Sequence, residues 1–264
     1  MKKLIGAFVF IFFISSLNSV FASEFRNKIG VTEKLGNKIP LDTKFFDSDG
    51  KEVTLRNLIN KPTVIDLAYY KCTGICTPLM TEVADVINKI DLVAGKDFNI
   101  ITVSINPDEF PKDAAKKKVE MMNLVKSEIP NSAWRFLTGD SLSISELANS
   151  IGFNYEREDD TFLHTGLLVF VSSDGKICRY LKPGFTDRGD FRILPFSFKM
   201  AIVEASKGEV LPVIEEISRY CFSYEPKNES YVFDWFKISG VGVLFSVAVV
   251  FFFFIRKPKK VKNI

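Results

Sequence analysis

Two of the four cysteines stand close together in the segment YYKCTGICTPLM, where three residues separate Cys72 from Cys76. On a helical turn this spacing puts both sulfurs on one face, close enough to bind one ion or to be oxidised together. A helix that begins here also stabilises a thiolate through its dipole and its free N–H groups, which lowers the thiol pKa. The pair is therefore a candidate metal site, a redox couple or a structural disulfide.

The only histidine of the sequence, His164 in the segment LHTGLLVFV, is the candidate third donor. We expect His164 to open a strand, and a sheet that places this strand beside the one leading to Cys72 would bring the imidazole to the thiols. Two thiolates and one imidazole suit Cu(I), and the same set can hold Cu(II). A closed zinc site prefers a fourth ligand, and no further Cys or His stands at finger-like spacing. These donors therefore favour copper.

The remaining cysteines, Cys178 and Cys221, lie far from the first pair in the sequence. Four cysteines allow three full pairings, and disulfides persist in exported proteins. If Cys72 and Cys76 form the local pair, Cys178 and Cys221 are either a structural disulfide or two buried thiols. The sequence leaves both alternatives open.

The cysteine pair is predicted to lie between a central strand and a helix. The run TVIDLAY at 63–69 predicts a strand, and residues 78–90 carry apolar side chains at helical spacing. Other patterns extend this order: a hairpin at 41–58, strands at 98–105 and 134–137, a helix at 112–129, a helix ending at 151 that a Ser143–Glu146 capping box opens, strands at 164–171 and 177–181, and a helix at 196–205. The order indicates an α/β fold with a mixed sheet flanked by helices, and the cysteines have the thioredoxin-like placement.

Both ends of the chain carry apolar segments that belong to targeting and anchoring. Residues 1–22 have two lysines, an apolar run and small residues before Ala22, which predicts a signal peptide; an uncleaved anchor is the alternative. Residues 238–255 are uncharged and long enough to cross a bilayer as one helix. The basic tail 256–264 is then expected in the cytoplasm, by the positive-inside rule.

These ends predict a domain outside the cytoplasm. An N-terminal segment at 23–37 precedes a thioredoxin-like domain at 38–231, tethered by the C-terminal helix. A cleavable signal peptide favours a bacterial inner membrane with the domain in the periplasm. The net charge of +3 comes from the two ends, and the domain has no basic stripe with interleaved aromatic residues. Nucleic acid is therefore not an expected partner.

Several ordered blocks resemble the Sco/SenC family. They are NKPTVIDLAYYKCTGIC, ITVSINPDEFP, WRFLTGD, IGFNY, FLHTGLLVFVSSDGKICRYL and CFSYEPKNESY. The resemblance implies a thioredoxin-like copper chaperone, rather than an enzyme, that helps to assemble the CuA centre of cytochrome c oxidase. It also implies that Cys72, Cys76 and His164 are the copper ligands. The chain departs from the family at Thr77, which stands before Pro78 where C-x-x-x-C-P is common, at Asn106, where aspartate is usual, and in its C-terminal anchor.

Two functions follow from these residues. In the first, the chain passes copper to the copper-containing subunit of the oxidase, with other copper chaperones or thiol reductants as further partners. In the second, the same cysteines act as a thiol–disulfide oxidoreductase on the oxidase copper site or on another exported protein. Only His164 separates the two hypotheses, because a dithiol reductant does not need it. A peroxidase is disfavoured, because LAYYKC lacks the Thr and Arg partners of a peroxidatic thiolate.

Overall fold

A computed structural model describes residues 29–72, 74–159, 161–185, 191–210, 222–225 and 230–233. The chain divides into two compact units, Met1–Val210 and Leu211–Ile264. In the described residues, the strands are β1 (Gly30–Val31), β2 (Lys44–Asp47), β3 (Glu52–Thr54), β4 (Thr63–Ala68), β5 (Asn99–Ser104), β6 (Trp134–Thr138), β7 (Phe153–Asn154), β8 (Glu156–Glu158), β9 (Thr161–Leu163), β10 (Leu168–Val171), β11 (Ile177–Leu181), β12 (Gly184–Phe185), β13 (Phe191–Arg192), β14 (Phe222–Glu225) and β15 (Ser230–Phe233). The helices are α1 (Leu55–Leu58), α2 (Cys76–Ile87), α3 (Pro111–Met122), α4 (Ser141–Ile151) and α5 (Pro195–Lys207).

The first unit is built on a seven-stranded mixed sheet with the order β11-β10-β4-β5-β6-β2-β3. Strands β4, β5 and β6 run parallel, whereas β10 and β11 on one side and β2 and β3 on the other are antiparallel to their neighbours. All six residues of β4 are buried, as expected for a central strand covered on both faces. The predicted α/β fold with a mixed sheet is confirmed. In the second unit, the described residues form the antiparallel hairpin β14–β15.

The core forms where helices cover the sheet. Helix α3 packs on β6 and β2, and α5 packs on β11, β10 and β4. Phe198 of α5 is fully buried and meets the rings of Phe98 and Phe170 at centroid distances of 6.0 and 5.2 Å. Burying one such side chain contributes about 1.5–3 kcal/mol. These contacts hold the sheet that positions the cysteines.

The pairing of β10 with β4 affects the position of His164, the candidate third donor. Leu168 lies opposite Asp66 and Val171 lies opposite Thr63, so β10 runs antiparallel to the strand that leads to Cys72. The segment after the histidine therefore lies beside the cysteine strand, which is the arrangement that can bring the imidazole to the thiols. His164 was expected to open that strand, but β10 begins four residues later, at Leu168.

Helices α2 and α3 have other bounds than those predicted, and α2 ends at Ile87 rather than at residue 90. Helix α2 begins at Cys76, two residues before the predicted start, and α3 ends at Met122 instead of extending to residue 129. The chain leaves α3 early because the side chain of Asn88 binds it there: Nδ2 donates to the Leu124 carbonyl at 3.0 Å, and Oδ1 accepts from the Lys126 N–H at 2.8 Å.

The predicted capping box of α4 is wrong. The N-cap is Asp140, whose Oδ1 accepts from the Ser143 N–H at 2.7 Å, so Ser143 lies inside the helix. Glu146 does not reach back to the helix start; its Oε2 accepts from the Thr43 hydroxyl at 2.7 Å. Glu146 thus makes a tertiary contact instead of the capping contact that the local pattern predicted.

The predicted ends lie largely outside the described residues. The signal peptide at 1–22, the membrane helix at 238–255 and the tail at 256–264 all stay predictions. Within the described ranges, no helix is both long enough and apolar enough to cross a membrane.

Candidate metal centre

The cysteine pair lies where a loop leads from the end of β4 to the start of α2. After Ala68 the chain turns sharply, since the Cys72 N–H donates to the Tyr69 carbonyl at 3.3 Å. Cys76 is the first residue of α2, so its sulfur lies at a helix N-terminus, as predicted. Cys72 is 9% exposed and Cys76 is 1% exposed, and both are free thiols. Cys72 is therefore the more accessible of the two residues.

The fold brings the histidine to this pair. His164 Nε2 lies 3.1 Å from the Cys76 Sγ, although the two residues are far apart in sequence. His164 Nδ1 lies 3.0 Å from the Thr165 carbonyl oxygen, which can only accept a hydrogen bond. Nδ1 therefore carries a proton, and Nε2 is the nitrogen that faces the sulfurs.

The two thiols have opposite acidities. The pKa of Cys72 is lowered, chiefly by a hydrogen bond from the Cys76 thiol, with help from His164 and from the Gly74 N–H at 3.2 Å. The pKa of Cys76 is raised, because its thiol proton is held by Cys72 and because it is buried. The first proton to leave the pair therefore makes Cys72 the thiolate.

Aromatic side chains enclose the histidine. The His164 ring meets Tyr69 edge-on at a centroid distance of 6.1 Å and Phe153 at 5.8 Å, and Phe162 packs on Tyr69 at 5.4 Å. Burial and a hydrogen bond to Cys72 raise the pKa of Tyr69 to about 12. Its phenol therefore stays protonated at neutral pH and can donate to the sulfur. Nothing in the sequence around Tyr69 marks this residue for such a contact.

The central strand β4, which leads to the cysteine pair, carries a buried carboxyl group. Asp66 is 1% exposed, and burial raises its pKa to about 7, although the positive charge available on His164 acts in the opposite direction. Its Oδ2 lies 3.5 Å from the Thr102 hydroxyl, and its Oδ1 has no hydrogen-bond partner among the described residues. The signal that could have revealed Asp66 is one charged residue inside the run TVIDLA.

Thr77, the residue that departs from the usual C-x-x-x-C-P pattern, contacts the cysteine loop with its side chain. Its hydroxyl donates to the Cys72 carbonyl at 3.4 Å and accepts from the buried Lys117 ammonium at 3.2 Å. Lys117 also pairs with Glu120 at 2.8 Å. Helix α3 is thereby connected to the loop through Thr77.

The three donors converge without surrounding a common point. In the described residues, no group of three or more His, Cys, Asp and Glu side chains is arranged to hold a metal ion as it stands. Instead, Cys76 and His164 are in direct hydrogen-bond contact. Their chemistry fits copper, since thiolates and imidazole are the donors that copper accepts. Binding would replace the contact between Cys76 and His164 with two bonds to the metal.

The second cysteine pair stays a prediction. Cys178 is a fully buried free thiol that donates to the Lys176 carbonyl at 3.4 Å, and burial raises its pKa. Its predicted partner, Cys221, lies outside the described residues.

Two solved structures with TM-scores above 0.5 share this fold, and a third resembles it less closely. A proposed electron transfer protein from Aquifex aeolicus VF5 is 25% identical, with a TM-score of 0.57 over 67% of this chain and 96% of that one. BsSco, a member of the Sco family of cytochrome c oxidase assembly proteins in which a disulfide switch was identified, is 22% identical, with a TM-score of 0.51 over 67% and 98%. Arabidopsis thaliana ScoI with copper bound is 20% identical, with a TM-score of 0.47 over 71% and 100%.

Sequence comparison assigns the family. The SCO1 protein homolog of Bacillus subtilis (strain 168) is 29% identical over 140 residues, which are 51% of this chain and 69% of that protein. A family model described as SCO1/SenC matches residues 33–189, which include both cysteines of the pair and the histidine. This match covers more than half of the chain, and the chain therefore belongs to the SCO1/SenC family.

Proposed function

We propose that this protein is a copper metallochaperone that supplies copper during assembly of cytochrome c oxidase. Cys72, Cys76 and His164 would hold the ion as cargo. The observation that carries the proposal is the 3.1 Å contact between the Cys76 Sγ and His164 Nε2, beside a second cysteine with a lowered pKa. Membership of a family that includes BsSco, of cytochrome c oxidase assembly, supports the choice of target.

The acidity of the thiols suits the capture and release of copper. Cys72 supplies an anionic sulfur near neutral pH, so its binding to a soft cation needs no prior loss of a strongly held proton. Three protein ligands leave room for an incoming ligand. A thiolate of the acceptor can therefore join the ion before the donor ligands leave, with Cys72 as the more accessible of the two sulfurs.

The setting of this site is also part of the proposal. The hydropathy of residues 238–255 and the basic tail at 256–264 support a membrane anchor that holds the domain in the periplasm. In that position the site would face the copper-containing subunit of the oxidase and the chaperones or thiol reductants that serve it.

The second candidate function is thiol–disulfide exchange, which the difference in acidity between the cysteines favours. The Cys72 thiolate would attack one sulfur of a target disulfide and form a mixed disulfide. Cys76 would then lose its proton and attack Cys72, releasing the target as a dithiol and leaving Cys72–Cys76 oxidised. Two electrons pass from the chain to the target, and His164 is not needed for either step.

Replacement of the histidine separates the two functions. We expect the purified, reduced full-length chain to bind one copper ion and His164→Ala to bind Cu(II) far more weakly, because one of the three donors is lost. Reduction of a model disulfide should slow much less in the same variant. The measurements are copper titration and the rate of disulfide exchange.

Cys178→Ser is the matched control, since it removes a thiol outside the pair and should bind copper as the wild type does. Stoichiometric Cu(II) binding of unchanged affinity in His164→Ala would contradict the ligand assignment. A wild-type chain that binds no copper but reduces disulfides would favour the second function.

A further inference from the structure

The turn that carries Cys72 has two backbone N–H groups that the turn itself does not use. Tyr69 to Cys72 form a four-residue turn closed by the hydrogen bond from the Cys72 N–H to the Tyr69 carbonyl. A turn of this kind pairs only the N–H of its last residue, so the N–H groups of Tyr70 and Lys71 need other partners. Tyr70 is buried, so water is a poor substitute there.

One carboxylate supplies both partners. Glu109 Oε2 accepts from the Tyr70 N–H and Oε1 accepts from the Lys71 N–H, each at 2.8 Å. The Ser104 hydroxyl at the end of β5 also donates to Oε2, at 2.6 Å. Glu109 is only 2% exposed. The carboxylate thus lies between the ends of β4 and β5, where it accepts hydrogen bonds from the cysteine turn.

Glu109 comes from the segment between β5 and α3, the same segment in which Asn106 replaces the usual aspartate of the family. The Lys71 ammonium is directed elsewhere, to Asp113 of α3 at 3.3 Å. Lys71 therefore makes two contacts here, through its backbone to Glu109 in this segment and through its side chain to Asp113 in the first turn of α3. These contacts tie the loop before α3 to the residues immediately before Cys72.

The charge of Glu109 matters for this role. Hydrogen bonds to a carboxylate are stronger than those to a neutral oxygen, and both oxygens of Glu109 are used as acceptors. An amide in the same place has one oxygen, and its NH₂ group would face a backbone N–H, donor against donor. Without the carboxylate, at least one of these two N–H groups loses its partner, and the turn must shift for that group to find another.

We propose that Glu109 is a positioning residue of the copper site: it fixes the backbone of Tyr70 and Lys71 and thereby sets where the Cys72 sulfur lies relative to Cys76 and His164. This inference rests on the proposed copper function. Glu109 does not touch the ion; it acts through the turn. The effect of its loss should therefore appear in the geometry and affinity of the metal site and not only in stability.

The test is Glu109→Gln in the reduced full-length chain. We expect its affinity for copper to fall by about tenfold, at the lower end of the range for residues that support metal ligands. The thiolate-to-Cu(II) absorption band should shift or weaken, because the Cys72 sulfur is no longer held at the same place. The measurements are copper titration and the absorption spectrum of the Cu(II)-loaded protein.

The matched control is Glu204→Gln. Glu204 is another buried glutamate, 3% exposed, and it pairs with Arg179 at 2.7 Å between α5 and β11. We expect this variant to lose thermal stability while it keeps the wild-type affinity and Cu(II) spectrum. The comparison separates a loss of positioning from a general loss of stability.

A Glu109→Gln chain that binds copper with wild-type affinity and an unchanged spectrum would overturn the inference. If that variant does not fold, Glu109→Asp decides the matter, because it keeps the charge but withdraws the carboxylate from the two N–H groups. Weaker copper binding by the aspartate variant would support positioning, and unchanged binding and spectrum would refute it. Failure of the wild type to bind copper would instead defeat the proposed function.

Discussion

At the scale of single residues, the two cysteines differ in both exposure and acidity. Cys72 is the more accessible sulfur and has the lowered pKa, whereas Cys76 is enclosed and its pKa is raised. The sequence predicted the helix N-terminus that activates the pair but could not predict which thiol would ionise. That choice depends on Gly74, Tyr69 and His164, whose positions around the sulfurs are set by the fold.

This difference predicts selective alkylation. At mildly acidic pH, iodoacetamide should modify Cys72 of the reduced chain first, because an ordinary thiol is protonated there and a thiolate is the reacting species. Peptide mass spectrometry after a short exposure identifies the modified residue. Cys178, whose pKa is raised by burial, is the internal control and should stay unmodified. Labelling of Cys76 ahead of Cys72 would show that the acidities have been assigned the wrong way round.

At the scale of the elements, the patterns that succeeded were those in which local and tertiary preferences agree. The apolar run at β4 is fully buried, and α5 covers the sheet where a helix was predicted. Two of the errors arose where a distant side chain intervened. Asn88 binds the chain beyond α3, and Thr43 binds Glu146 of α4; neither contact has a local signature in the sequence.

The corrected start of α4 can be tested by removing its cap. We expect Asp140→Ala to lower the free energy of unfolding by about 1 kcal/mol, because the side chain that accepts the Ser143 N–H is lost. Ser143→Ala should cost less than about 0.5 kcal/mol, since the Ser143 N–H still reaches Asp140 and only the side-chain contact of Ser143 with that carboxylate is lost. Denaturant unfolding of both variants gives the comparison. The opposite ranking would restore the capping box that the sequence predicted.

At the scale of the whole molecule, the sheet order decides which residues meet. The resemblance to Sco/SenC proteins implied that Cys72, Cys76 and His164 act together, and the antiparallel pairing of β10 with β4 brings His164 to the cysteines. Asp66 and Glu109 could not be predicted in the same way, because their surroundings come from several strands and loops. A buried carboxyl group nevertheless affects the stability of the entire domain.

Asp66 therefore predicts a pH dependence of unfolding. Its pKa rises from 3.8 to about 7 on folding, so between these values the native state binds a proton that the unfolded chain has lost. The contribution of Asp66 is most favourable at low pH, decreases as the pH rises through this window and is constant above it, with a total loss of about 4 kcal/mol.

Replacement of Asp66 removes this effect. The difference in unfolding free energy between Asp66→Asn and the wild type should grow in favour of the variant from about pH 4 to about pH 7. Denaturant unfolding of the reduced chain across this range measures it. Asp49→Asn, on an exposed turn, should follow the wild type. A constant difference between Asp66→Asn and the wild type would show that Asp66 is ionised throughout.

The antiparallel pairing of β10 with β4 also orders events in time. In the chain, the two cysteines come before His164 and β10. During synthesis, which starts at the N-terminus, the thiol pair is therefore made before the imidazole that will lie beside it. A three-donor site can form only after β10 has joined the sheet. If the donors carry copper as proposed, only chains that have finished folding bind copper with high affinity. A partly folded chain offers at most the two sulfur ligands.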